Sequence, residues 1–386
     1  MTGLLPATAG TLVGLFAGIG GFEAGLGKHG LVPDLLCEWW SPAREVLRER
    51  FPAVRLEGDI RCLEQLPPAT VVAAGFPCTD ISQVGRTAGI AGNESGLVQE
   101  VFRLLERSSA KWVVLENVAN MLRLHRGTAM HVITSALEAQ GWRWAYRLVD
   151  SRSFGVPQRR QRVFLVASRN EDPRTILFAD ETEEMQRPQF ASDAFGFYWT
   201  EGNRGVGWAQ DAIPTLKGGS KAGIPSPPGV WIPEQPQGHA IVRPSIEAAE
   251  ELQGFSAGWT AAASARGARW KLVGNAVTVG VADWLGRRLT APRQPVDVPR
   301  RPHSDGDRWP KAAANVDGKR EVWSLSEWPV ESPYPHLKRL LSTHGSEPLS
   351  YGATNGFYTR LMASRLRADD EFKVALKEHI EATRKA

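Results

Sequence analysis

An α/β fold is predicted for the first half of this chain: a mostly parallel, doubly wound sheet with a smaller irregular domain attached. Three observations predict it. Short apolar runs of the length of buried strands recur along residues 11–167. Helical patterns of about ten residues fall between several of them. After Ser168 both periods vanish into a stretch rich in Pro, Gly, Trp and Asp.

The elements follow in order. Thr11-Leu-Val-Gly-Leu-Phe16 reads as a buried strand ended by glycines. Asp34–Glu38 is a second strand, and Ser41 caps a helix with Pro42 at its first position, running to about Arg50. Thr70–Ala74 and Trp112–Glu116 are two more strands, separated by a helix over 97–107. A helix over 127–140 and a strand at Arg162–Ala167 complete the alternation, which is that of doubly wound sheets. Domain bounds of 1–168, completed by 265–290, are expected for the sheet domain. The irregular domain takes 169–264, with Trp199, Trp208 and Trp231 as its own core. Helical signals return at 245–252 and 279–289. Residues 291–386 read as a linker, rich in Pro, Arg and Asp over 292–310, and a C-terminal helical extension. Leu366, Phe372, Leu376 and Ile380 space the apolar face of its last helix.

With 386 residues, 42% of them hydrophobic, the chain has ample material for packed cores, which excludes global disorder. Three cysteines make no disulfide framework, and none forms a metal-binding pair. No apolar stretch approaches the ~18 residues of a membrane span. A cytoplasmic protein with no membrane partner and no metal is expected, and a monomer. The 46 Lys and Arg against 42 Asp and Glu leave +4, which suits a nucleic-acid partner without demanding one.

The residue types that carry chemistry cluster at predicted strand ends. Glycines 18, 20 and 21 let the backbone approach a nucleotide-like ligand, though a tight strand-to-helix turn would need them equally. Glu38 ends the next strand, where an acidic group can meet a ribose hydroxyl or simply be solvated, and Asp59 could accept from an adenine amino group or be an ordinary turn aspartate. Gly75-Phe-Pro-Cys78 follows the strand at 70–74, and Glu116-Asn-Val118 ends its neighbour. That order sets an acid/base carboxylate one strand from a thiolate nucleophile. Gln158-Arg-Arg-Gln-Arg162 is a solvated charge cluster or, since it enters a buried strand, a set of guanidinium forks for phosphate or a base carbonyl.

Six motifs in order make the chain resemble the DNA cytosine carbon-5 methyltransferases. They are Leu15–Phe22, Gly75–Cys78, Glu116–Val118, Val156–Val163, Glu251-Leu-Gln-Gly-Phe255 and Gly274-Asn-Ala-Val277, and they span nearly all of 11–289. The resemblance implies a Rossmann-like methyltransferase domain, a target-recognition domain at 169–264, and double-stranded DNA as substrate. It implies S-adenosyl-L-methionine as methyl donor and S-adenosyl-L-homocysteine as product. Phe16, Ala17, Gly18, Ile19, Gly20, Gly21 and Phe22 would hold the donor, with Glu38 on its ribose and Trp39 stacked on its adenine. Asp59 and Ile60 would complete the adenine site, and Gly75, Pro77, Leu97, Asn275, Ala276 and Val277 would lie around the cofactor.

By the same resemblance the Cys78 thiolate adds to carbon 6 of a flipped-out cytosine. Glu116 holds or protonates ring nitrogen 3, Arg162 contacts the base carbonyl, and Gln158 and Arg160 position the site and phosphates. Residues 79–95 form a closing loop in which Ser82 and Arg86 meet phosphate. Pro214-Thr-Leu-Lys217 matches the variable region's Thr-Leu pair, so Thr215, Leu216 and Lys217 are expected in the DNA grooves, and Arg204, Lys221 and Arg243 on its backbone. A restriction endonuclease would be the cognate partner. The chain departs from the family pattern at Thr79, where Gln is usual, at Gly14, where Asp is frequent, and at Gln161, where Glu is common. Two alternatives share the fold: a tRNA cytosine-5 methyltransferase and an inactive DNA-binding homologue. A nicotinamide oxidoreductase is opposed by the glycine spacing.

Overall fold

In the computed structural model, residues 9–77, 96–186, 189–201, 205–218, 227–265, 267–304 and 306–384 are described. They fall into two units. The first comprises 1–153, 161–184 and 277–331, and the second 154–160, 185–276 and 332–386.

A ten-stranded sheet carries the first unit. Its strands are β1 (Gly10–Leu15), β2 (Leu31–Cys37), β3 (Arg55–Glu57), β4 (Val71–Ala74), β5 (Trp112–Val118), β6 (Arg143–Asp150), β7 (Gln161–Ser168), β8 (Arg300–Pro302), β9 (Ala312–Val316) and β10 (Lys319–Trp323). Their spatial order is β8-β10-β9-β6-β7-β5-β4-β1-β2-β3. From β3 to β5 every pairing is parallel, and from β5 to β8 every pairing is antiparallel. The sheet is thus mixed, because β7 runs antiparallel to β5 and β6 to β7, and three strands from beyond residue 291 extend this antiparallel half.

Val13, Leu15, Val72, Ala74, Val113 and Leu115 point to one face, onto a core shared with the helices Leu97–Glu106 and Thr128–Ala139. Helix Gly21–Leu26 packs against Val279–Thr290 so closely that a Cβ at Gly25 would collide with Ala282. Helix Ser41–Arg50 starts as expected, but Trp40 is its cap residue and no side chain caps it. Strand β6 escaped the sequence pattern because Arg147, fully buried, sits in its middle. Its guanidinium donates to the carbonyls of Ser326, Leu177 and Asp180 and pairs with Glu181.

The second unit is built on a five-stranded antiparallel sheet, in the order 209–210, 195–197, 229–231, 241–244, 346–348. Strands of two to four residues cannot close a core by themselves. Helices Tyr351–Met362 and Asp370–Thr383 supply the rest: Phe357, Leu361, Phe372 and Leu376 join Phe197, Trp231 and Ile241 in one cluster, with Trp199 and Trp208 packed against it. Asp211, buried at a positive φ of 50°, ties insert and tail together by accepting from the backbone N–H of Ala191 and Leu337 and from His336 Nδ1 at 2.6 Å.

Residues 291–386 therefore differ from the expected linker and extension. Their first part completes the ten-stranded sheet, and their last part completes the aromatic core of the second unit.

Candidate active site

Parallel strands end together, and their carboxyl ends carry the first half of the site. The turn after β1 runs through positive φ at Phe16 (54°), Gly18 (57°) and Gly20 (85°). A Cβ at Gly20 would stand 2.5 Å from the Phe51 ring, so packing as well as φ requires glycine there. Gly18 is different: none of the described residues lies within 4 Å of where its Cβ would be, so the turn presents bare backbone there. From the end of β2, the Glu38 carboxylate accepts from the N–H of Gly18 at 2.8 Å and of Trp40 at 2.7 Å. Burial pushes the Glu38 carboxyl above its ordinary value, against those two N–H groups and the Arg44 guanidinium, which hold it down. Trp39 is 70% exposed, with the Arg61 guanidinium 5.8 Å from its ring. Asp59 is held by Arg61 through its side chain and its backbone N–H, which lowers the acid below its ordinary value.

Ile19, Phe22 and Ile60 are buried side chains, so they shape the turn from below and leave only backbone for a ligand. Phe22 meets Phe164 edge to face at 6.3 Å. Val277 reaches the turn from the other side: a Cβ at Gly21 would lie 2.6 Å from its carbonyl oxygen. Ala17 is half-buried, its N–H donating to the Cys37 carbonyl, and Leu97 is half-buried against the core.

Register places the acid. Val118 pairs with Arg162 across β5 and β7, so Glu116, two residues back on the same face, is its diagonal neighbour. Glu116 Oε1 lies 3.0 Å from Arg162 Nε, and both side chains are mostly buried. Ala74 pairs with Leu115, which sets Gly75 beside Glu116; a Cβ at Gly75 would be 3.5 Å from Glu116 Oε2 and 3.8 Å from Val277. Asn117 fastens the departing segment by donating to the Phe76 carbonyl at 3.0 Å. Pro77 is exposed. Cys78, Ser82, Arg86, Arg204 and Lys221, with the rest of the expected closing loop, lie outside the described residues.

Gln158 and Arg160 belong to the second unit, and neither reaches outward. Both are fully or almost fully buried. Arg160 donates to the carbonyls of Leu216 and Gly274 at 3.1 Å and of Ala276 at 2.8 Å. Gln158 donates to Leu252 O and Gln253 Oε1 and accepts from the N–H of Leu216. Gln253 in turn donates to the Ala276 carbonyl at 2.7 Å. These groups hold the backbone of 216, 252 and 274–276 in place. Leu216, expected at DNA, is buried, and Thr215 is half-buried with its hydroxyl on the Arg159 carbonyl. Asn275 packs where a Cβ on Gly218 would strike its Oδ1. Lys217 is exposed but paired with Glu201 and 3.7 Å from the Tyr198 ring, and Arg243 is paired with Glu347.

Sequence reasoning missed Gln253, Asp211 and Glu23. Only the Leu-Gln-Gly-Phe motif hinted at the first; Asp211 and Glu23 become visible once their neighbours are known.

A glycine turn at a parallel-strand end, an acid on the next strand and a buried carboxylate–guanidinium pair beside it define the methyltransferase class of α/β enzymes. A family model described as C-5 cytosine-specific DNA methylase matches residues 10–194. Type II methyltransferase M2.BsuMI of Bacillus subtilis (strain 168) is 42% identical over 94% of this chain and 96% of its own. Type II methyltransferase M.HhaI of Haemophilus parahaemolyticus is 28% identical over 41% of this chain and 49% of its own. The crystal structure of S. pombe Dnmt2 methyltransferase shares the fold with TM-score 0.55 at 14% identity, over 72% of this chain and 98% of that one. The chain belongs to the C-5 cytosine-specific DNA methylase family, and it is a DNA (cytosine-5-)-methyltransferase.

Proposed function

We propose that this chain methylates carbon 5 of a cytosine flipped out of a specific duplex DNA sequence, through a transient bond from Cys78 to the base. The observation that carries the reading is Glu116 held against Arg162 at 3.0 Å, one strand from the segment that leads to Cys78. The residues present fit S-adenosyl-L-methionine: Gly18 offers open backbone, Glu38 keeps acceptor capacity for ribose hydroxyls, and Trp39 offers an exposed ring face. When bound, that molecule supplies an activated methyl group.

The chain's own residues do the rest. The Cys78 thiolate forms a bond to cytosine carbon 6. Glu116 places a proton at ring nitrogen 3 as the ring takes up the negative charge, and Arg162, itself anchored on the Gln161 carbonyl, orients Glu116 toward the base. Carbon 5 then carries the electron pair that takes the methyl group. Loss of the carbon 5 proton and expulsion of the Cys78 thiolate restore the aromatic ring. Gln158, Arg160 and Gln253 act as positioning residues for the backbone of 214–217 and 274–276. Thr215, Lys217 and Arg243 are the described candidates for DNA contact. Arg243 also borders a cavity of about 500 Å³ lined by Ser245, Arg269 and Trp270. We further infer a cytoplasmic monomer paired in its system with an endonuclease of the same sequence specificity, as the type II relatives suggest. No helix among the described residues is long and apolar enough to cross a membrane.

Duplex oligonucleotides carrying 5-fluorocytosine test the mechanism, because the absent carbon 5 proton stops the reaction at the covalent stage. A protein–DNA band resistant to denaturation is expected with cognate duplex, and not with Cys78→Ala. No band, or a band with the variant, overturns it.

A further inference from the structure

Beneath the glycine turn lies a carboxyl that the reaction described above does not use. Glu23 is the third residue of helix Gly21–Leu26 and 2% exposed; among the described residues no other residue hydrogen-bonds its carboxylate oxygens, and only its own backbone N–H holds the acid down. Gly14 makes room for it on β1: a Cβ there would collide with Glu23 Oε1. No cation compensates it among the described residues of the packed elements. Lys28 and His29 are paired with Asp283, Arg288 with Asp180, and Arg287 and Asp34 are exposed. Glu38 is the charged group that acts on it from β2. An acid buried this way weakens the free fold, and an apolar side chain would fill the space at no such cost. Burial, with Glu38 adding repulsion, pushes the Glu23 carboxyl up to about 7.

We propose that Glu23 senses the charge of the bound cofactor, ionising when the sulfonium donor occupies the turn and taking its proton back when the neutral thioether product does. The inference rests on the reading of the turn as the S-adenosyl-L-methionine site. Methyl transfer removes one positive charge from that site. A cation near a buried carboxyl favours its ionised form, so donor binding expels the Glu23 proton to solvent. Once the methyl group has left, the carboxylate has no counter-charge and regains a proton from solvent. By reciprocity the ionised acid favours donor over product.

Isothermal titration of the full chain with S-adenosyl-L-methionine and with S-adenosyl-L-homocysteine, in two buffers of different ionisation enthalpy, counts the protons exchanged. At pH 7 donor binding is expected to release about half a proton more than product binding. Glu23→Gln should erase that difference and cut the donor-over-product preference on the order of tenfold. Equal proton counts in the wild type, or a difference that survives in Glu23→Gln, overturn the inference. If that variant does not fold, the wild-type affinity ratio decides: it must rise between pH 6 and pH 8, and a flat ratio refutes charge sensing. Failure of both molecules to bind overturns the donor-site reading itself, and this inference with it.

Discussion

The two units use the same residue types for opposite ends. In the ten-stranded unit, Glu38 and Glu116 sit at strand ends, Glu38 on the N–H groups of Gly18 and Trp40 and Glu116 on the Arg162 guanidinium. In the second unit, Gln158, Arg160, Gln253 and Asp211 are enclosed and engaged with backbone. Arg160 and Arg162 show the contrast within three residues. One lies 3.0 Å from a carboxylate in the first unit, and the other holds three carbonyls in the second. The lesson is that availability for chemistry follows from burial and partners. A guanidinium at a motif position pairs with a carboxylate in one setting and bolts backbone together in the other.

Arg160→Met breaks this comparison most severely. It keeps the volume and leaves three buried carbonyls without their charged donor, so unfolding stability should fall by about 3–5 kcal/mol. Urea titration checks it. A loss below about 1 kcal/mol would mean that the arginine is not structural. Next in size is the isolated acid of the first unit. Glu23 has a folded value of about 7 against an ordinary 4.5. The native state therefore binds the proton more tightly than the unfolded chain, and stability falls as pH rises through that window. Without cofactor, Glu23→Gln should stabilise the protein by about 3 kcal/mol at pH 8.5 and by almost nothing near pH 4.5. Thermal unfolding at the two pH values reads the difference, and a pH-independent effect would contradict it. The smallest change concerns the exposed pairs of the second unit. Lys217→Ala removes a half-exposed partner of Glu201 and should cost less than about 1 kcal/mol. It should reduce the slope of DNA affinity against salt by about one unit if Lys217 meets a phosphate. An unchanged slope would return that lysine to a purely local role.

Much of the first unit was legible in the sequence, because buried parallel strands advertise themselves as unbroken apolar runs. Val71–Ala74 and Trp112–Val118 are such runs. Strand β6 was not legible, since its central Arg147 has meaning only beside Glu181 and the carbonyls it binds. The second unit hid for another reason. Its strands are too short for a period, and its core is completed by Phe357 and Phe372 from far along the chain.

Residue order alone determined the family chemistry: the glycine turn, the Pro-Cys and Glu-Asn-Val segments and the Gln-Arg-Arg-Gln-Arg run appear in it directly, because local backbone and reactive groups must recur in fixed order to do one reaction. Tertiary structure decided which of those groups are buried and what they pair with, where residues 291–386 belong, and that Glu23 is buried over Gly14 with no side-chain partner among the described residues. Burial and partnership are properties of neighbours distant in sequence, and only folding brings those neighbours together.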